Sequence, residues 1–200
     1  MTPNVFNVIE PTTYTIQFSP GELPKLFEVF DQEGNLYYFR HLDGKTSTIN
    51  LNFPQDGYYH THEETPFTII NQKPLTPGGQ GIKLRQPDRD YPMNNIKIEE
   101  NVGDSMGGTP ARIFPKIGVI EFNPKIKKYP FPIKLFILLH ELGHCKYSEE
   151  VDADAFALKM YLGLGYNASM AYYALSHILK ESPENVIRLK ILFKDVMNYA

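Results

Sequence analysis

The chain has 200 residues, enough for one large domain or two small ones and for a substantial core. Its composition, 42% hydrophobic and 22% charged, excludes a disordered or collagen-like chain. The formal net charge of −3 gives no electrostatic basis for binding nucleic acid or an anionic membrane surface.

The N-terminal part alternates short β-like runs with turn signals. Tyr14–Phe18 alternates and stops at Ser19-Pro20-Gly21. Leu26–Phe30, the turn-like Asp31–Asn35 and Leu36–Arg40 predict a hairpin. Thr48–Phe53, Tyr58–Thr61 and Phe67–Ile70 complete a set of strands whose spacing suggests a small antiparallel sandwich over residues 1–74. Residues 75–94 are rich in Pro and Gly and read as a linker or wrapping loop. Residues 95–200 form a second domain with mixed elements. Ile96–Ile98, Ala111–Phe114 and Gly118–Phe122 are its expected strands. A helix then starts at Pro132 and stays apolar on nearly every face through Cys145, as a buried helix does. Further helices are expected from Ser148 to Leu162, after Asn167, and after Ser182. The expected class is α+β: a β-sandwich-like domain followed by an α+β domain that ends in a helical bundle.

The longest apolar run, Leu135–Leu139, is far too short to cross a bilayer, so no membrane partner is expected. The opening Met1–Val5 has neither the basic start nor the apolar stretch of a signal peptide. The single cysteine, Cys145, excludes an internal disulfide framework and suits a reducing compartment. A cytoplasmic location is therefore expected, with packaging in a virion as the variant.

The buried helix carries His140-Glu141-Leu142-Gly143-His144, an H-E-x-x-H motif. Residues four apart lie one turn apart on the same face, so both imidazoles can converge on one ion. Zinc accepts imidazole nitrogens at about 2.0–2.1 Å, and its catalytic sites use three protein ligands. Glu141 is placed to act as general base on a water attacking a peptide carbonyl, and then to protonate the leaving amine. The flanks Ile137-Leu138-Leu139 and Leu142-Gly143 would bury two histidines and a glutamate. Buried charge needs partners, and a metal supplies one.

Ile137–His144, followed by Glu150-Val151-Asp152-Ala153-Asp154-Ala155-Phe156-Ala157, resembles the gluzincin-type zinc metallopeptidases over roughly residues 95–200. In that family a Glu on a later helix, within E-x-x-x-D, completes the zinc site, and the resemblance implies Glu150 as third ligand, with Asp154 as the alternative. It also implies a strand-rich edge before the active-site helix, which Ala111–Phe122 could supply. Glu150 follows His144 by only six residues, whereas gluzincins usually carry a longer insertion there. On a helix starting near Ser148, Glu150 and Asp154 share a face. Asp154 is then expected to hold a ligating imidazole by its other ring nitrogen.

Gly103-Asp104-Ser105-Met106-Gly107 fits G-x-S-x-G, but no helix-forming segment follows, so a glycine loop is expected instead of a nucleophile elbow. His60 and His62, with Glu63 and Glu64 beyond, could hold a second metal or stand as ordinary strand-end histidines. His177 reads as a packing residue. Cys145 reads as a small apolar group, and Lys125, Lys127 and Lys128 as a solvated loop.

The leading expectation is a zinc-dependent metallopeptidase acting on a peptide or protein, with a possible protein partner on the β domain. The alternative is a structural or assembly protein, for example a phage particle component, built on a zincin-like fold. A purely structural zinc site is disfavoured by Glu141 and by the lack of cysteine ligands.

Overall fold

A computed structural model describes residues 4–18, 26–42, 48–62, 66–178, 187–188, 190–191 and 194. The fold is α+β and divides into two compact units. One comprises Met1–Pro77 with Leu164–Asn167, and the other Gly78–Gly163 with Ala168–Ala200.

The first unit contains β1 (Val5–Val8), β2 (Thr12–Phe18), β3 (Leu26–Asp31), β4 (Leu36–His41), β5 (Thr48–Phe53), β6 (Gly57–His60) and β7 (Phe67–Pro74). They form two sheets, ordered β1-β6-β3-β4 and β5-β2-β7, with every pair antiparallel. Period-two alternation puts the aromatics on the inner faces. Phe6 of β1 meets Phe53 of β5 at 5.2 Å between ring centroids, and Phe27 of β3 meets Phe18 of β2 at the same distance. These four rings are at most 2% exposed. Burying each contributes about 1.5–3 kcal/mol, and the pairing across both sheets makes a sandwich. The expected hairpin is β3–β4. Its turn is closed by Asp31, whose side chain accepts from the Glu33 and Asn35 amides, and by Gly34 at φ +79°. The expected Tyr14 start moves to Thr12 and the expected Ile70 end to Pro74.

The second unit has a three-stranded sheet: β8 (Lys97–Glu100), β9 (Ala111–Phe114) and β10 (Val119–Phe122). β10 lies in the middle, parallel to β8 and antiparallel to β9, so β9 is an edge strand. Among the described residues the helices α1 (Phe131–Gly143), α2 (Glu150–Gly163) and α3 (Ala168–Tyr173) follow, the last continuing as a π-helical turn over Ala174–Ile178. α1 begins on Pro130 and Pro132, where the absent amide hydrogens cost nothing. It ends at Gly143, two residues before the expected Cys145. α2 starts at Glu150, not at Ser148. Ser148 is withdrawn from capping because its amide and hydroxyl both bind the Asp88 carboxylate. Most of the helix expected after Ser182 lies outside the described residues, as does the side chain of His177.

α1 and α2 pack closely. Phe136 of α1 stands edge-on to Tyr161 of α2, with centroids 5.6 Å apart. Gly143 faces Ala153, and a Cβ at Gly143 would lie 2.9 Å from both the Cα and the carbonyl oxygen of Ala153. That contact requires glycine, and it brings the first turns of α2 against the last turn of α1. Among the described residues no helix is long and apolar enough to cross a membrane.

Candidate metal centre

Three elements build the site. The last turn of α1 supplies His140 and Glu141, its cap supplies His144, and the first turn of α2 supplies Glu150. The close helix packing brings them together despite the short connection, because residues 144–147 turn back at once. The amides of Cys145 and Tyr147 donate to Leu142 and Gly143 carbonyls, at 3.0 and 2.9 Å.

His140, His144 and Glu150 offer their ligand atoms to one point and could hold a metal ion. His140 Nε2 stands 3.3 Å from one Glu150 oxygen, and His144 Nε2 stands 3.4 Å from the other. The imidazole rings are 4.9 Å apart and nearly perpendicular. His140 is buried and Glu150 sits exposed at the mouth. Each ring is oriented from behind. Asp154 Oδ1 lies 2.7 Å from His140 Nδ1, a close charge contact without ordinary hydrogen-bond angles among the described residues, and His144 Nδ1 lies 3.1 Å from the Tyr147 carbonyl. Asp154 thus stands on the far nitrogen of His140, away from the point where the three ligand atoms converge. Its fully buried carboxylate is also gripped by Arg188, with Nε and Nη2 donating to its two oxygens at 2.7 and 2.9 Å. Arg188 Nη2 reaches Glu150 as well, at 3.1 Å.

The electrostatics follow from this crowding. Burial alone would lower the His140 pKa, but the Asp154 and Glu150 acceptors outweigh it and raise it from 6.5 to about 10. Hydrogen bonds from His140 and His144 hold the Glu150 carboxyl well below the usual carboxylate range. Glu141, 7% exposed, moves the other way: burial pushes its pKa up, opposed by the two imidazoles and by the Ile113 amide on β9. A cleft of about 300 Å³ is lined by Glu141, the three potential ligands and residues 109–113.

Four of the candidate residues therefore meet at one cleft, and the fifth, Asp154, stands behind His140. Sequence reasoning missed Arg188, although an arginine set among Val186, Ile187 and Leu189 signals a buried partner. It also missed Arg89, which lines the cleft from the stretch read as a linker and donates to the His144 carbonyl at 3.3 Å. The other motifs do not join the site. Ser105 bonds Asn101 and Arg112, with no imidazole among those partners. His62 pairs with Glu28 at 3.2 Å and His60 stacks on Phe30. Neither histidine belongs to a metal-competent group among the described residues, and Glu63 and Glu64 lie outside them. Cys145 is fully buried.

The chain matches no protein-family model, no curated protein and no solved structure.

Proposed function

We propose that the protein is a zinc-dependent peptidase of the zincin type, with His140, His144 and Glu150 as metal ligands and Glu141 as general base. The observation that carries this reading is the placement of a buried glutamate beside a two-imidazole, one-carboxylate group on an open cleft. Zinc suits the donor set, since magnesium and calcium prefer all-oxygen sites. Each imidazole faces one oxygen of Glu150, at 3.3 and 3.4 Å, so the carboxylate reaches both rings.

A bound zinc would supply Lewis acidity toward a carbonyl oxygen and a water. The chain's own residues do the rest. Glu141, with its pKa raised by burial, takes the proton from the attacking water and returns it to the leaving amine. The Asp154 carboxylate, 2.7 Å away, favours the proton on His140 Nδ1, which leaves Nε2 free to face the ion. Edge strand β9 borders the cleft through Ala111–Ile113 and offers backbone groups to an extended peptide.

Protein purified without chelator should contain about one zinc per chain and hydrolyse an unstructured protein such as casein. Glu141→Gln should keep the zinc and lose hydrolysis, by about 10²-fold or more. Equal hydrolysis by the Gln variant, or full zinc retention by a His140→Ala/His144→Ala variant, would overturn the assignment.

A further inference from the structure

Two cavities meet at the end of β9. The first, about 300 Å³, contains the metal centre. The second, about 380 Å³, shares Arg89, Ile113 and Pro115 with it. Beyond those residues its walls are the apolar Tyr91, Phe114 and Ile117, joined by Lys116. Among the described residues its lining has no acid, whereas the first cavity has Glu141 and Glu150.

The residue at the junction is Arg89, and the fold holds it there. Its amide donates to the Lys146 carbonyl at 3.1 Å, the Tyr91 amide donates to Cys145 at 3.1 Å, and its guanidinium donates to His144 at 3.3 Å. The segment is therefore fastened to the turn that follows the second histidine. Most neighbouring cations are neutralised: Arg112 by Glu121 at 2.9 Å, Arg85 by Asp152 at 3.5 Å, and Arg188 by Asp154. Arg89 donates to a carbonyl and acts on the neighbouring Asp88 through its charge, but neither it nor Lys116 forms a close ion pair among the described residues. The adjacent acid, Asp88, is already bound to Ser148. A half-buried guanidinium, five donors in a fixed fork, beside apolar walls is complementary to a carboxylate carried next to a bulky apolar group.

We infer that the second cavity is the specificity chamber of the site: it takes a bulky apolar side chain of the substrate, while Arg89, assisted by Lys116, holds an adjacent carboxylate. The inference rests on the peptidase reading for the substrate being a peptide. The carboxylate has two possible sources, an Asp or Glu side chain beside the apolar residue, or the free C-terminus of a peptide ending in it.

The test uses the full-length, zinc-loaded Glu141→Gln protein, so that binding is read without hydrolysis. Fluorescein-labelled peptides are compared in pairs by anisotropy: an internal Phe-Asp against Phe-Asn, and a C-terminal Phe acid against its amide. The expected result is that one charged peptide binds about tenfold or more tightly than its neutral partner, the winning pair identifying the source. Adding Arg89→Met should erase that difference. Arg89→Lys should keep part of it, and the exposed Lys116→Met should reduce it. Unchanged zinc content in each variant separates lost recognition from a damaged site. Equal binding within both pairs, no binding of any peptide, or a charge preference that survives Arg89→Met would each overturn the inference. An Arg89-dependent preference in binding, with no hydrolysis of any peptide by the parent protein, would leave the inference standing and remove the peptidase reading.

Discussion

At the scale of single residues, the site places three carboxylates in three different surroundings. Glu150 is exposed and faces both imidazoles, Asp154 is fully buried behind one of them, and Glu141 is buried beside the cleft. Alanine at Glu150 should remove most of the metal affinity, since two imidazoles remain. It should change folding stability little, because the side chain is half exposed. Alanine at Asp154 should weaken metal binding by about 10–100-fold. It should also destabilise the fold by about 3–5 kcal/mol, because it strands buried Arg188 as well as His140. Metal titration combined with denaturant melts checks both; metal loss on Asp154→Ala with retention on Glu150→Ala would exchange the two roles.

The raised pKa of His140 gives a proton count. Without metal, its ion pairs stabilise the fold fully below about 6.5, and that contribution is lost as pH rises through about 10. At pH 8 the imidazole of the metal-free protein is charged, and a metal must displace its proton. Zinc binding at pH 8 should therefore release about one proton from His140, where an ordinary histidine would release almost none. Calorimetry in two buffers of different ionisation enthalpy reads this directly, and a buffer-independent heat would contradict it.

At the scale of elements, the decisive contact is Gly143 on Ala153. Gly143→Ala improves helix propensity by about 1 kcal/mol. Its methyl would meet backbone atoms at 2.9 Å, which cannot yield as a flexible side chain would. Overpacking of this kind costs about 1–3 kcal/mol, so the variant should be less stable and, with α2 displaced, should bind zinc more weakly. A variant as stable as the parent and with full zinc affinity would show that the helices need no such approach. This scale also shows what was legible in the sequence. The run Ala111–Phe114, the hairpin around Gly34 and His140–His144 could be read because local pattern and turn chemistry determine them. β1 could not, since Val5–Val8 has only four residues and no strong turn signal. β7 extends beyond its apolar start into Asn71–Lys73, because an exposed edge strand needs no apolar alternation. Asp88 and Arg89 look like linker residues locally; only their bonds to residues 144–148 give them roles.

At the scale of the molecule, neither unit is one stretch of chain. The sandwich includes Leu164–Asn167, the connection between α2 and α3. There the Asn167 side chain accepts from the Asn52 amide at 2.9 Å and donates to the Asn52 carbonyl at 3.1 Å, across 115 residues. Tyr166 and Asn167 are buried. This threading has a consequence for biosynthesis. A chain leaving the ribosome presents β1–β7 first, yet Asn167, the partner of the Asn52 amide, emerges only after the whole α1–α2 pair. The unit begun first is thus completed only after most of the second has been made, and until then the Asn52 amide lacks its Asn167 acceptor.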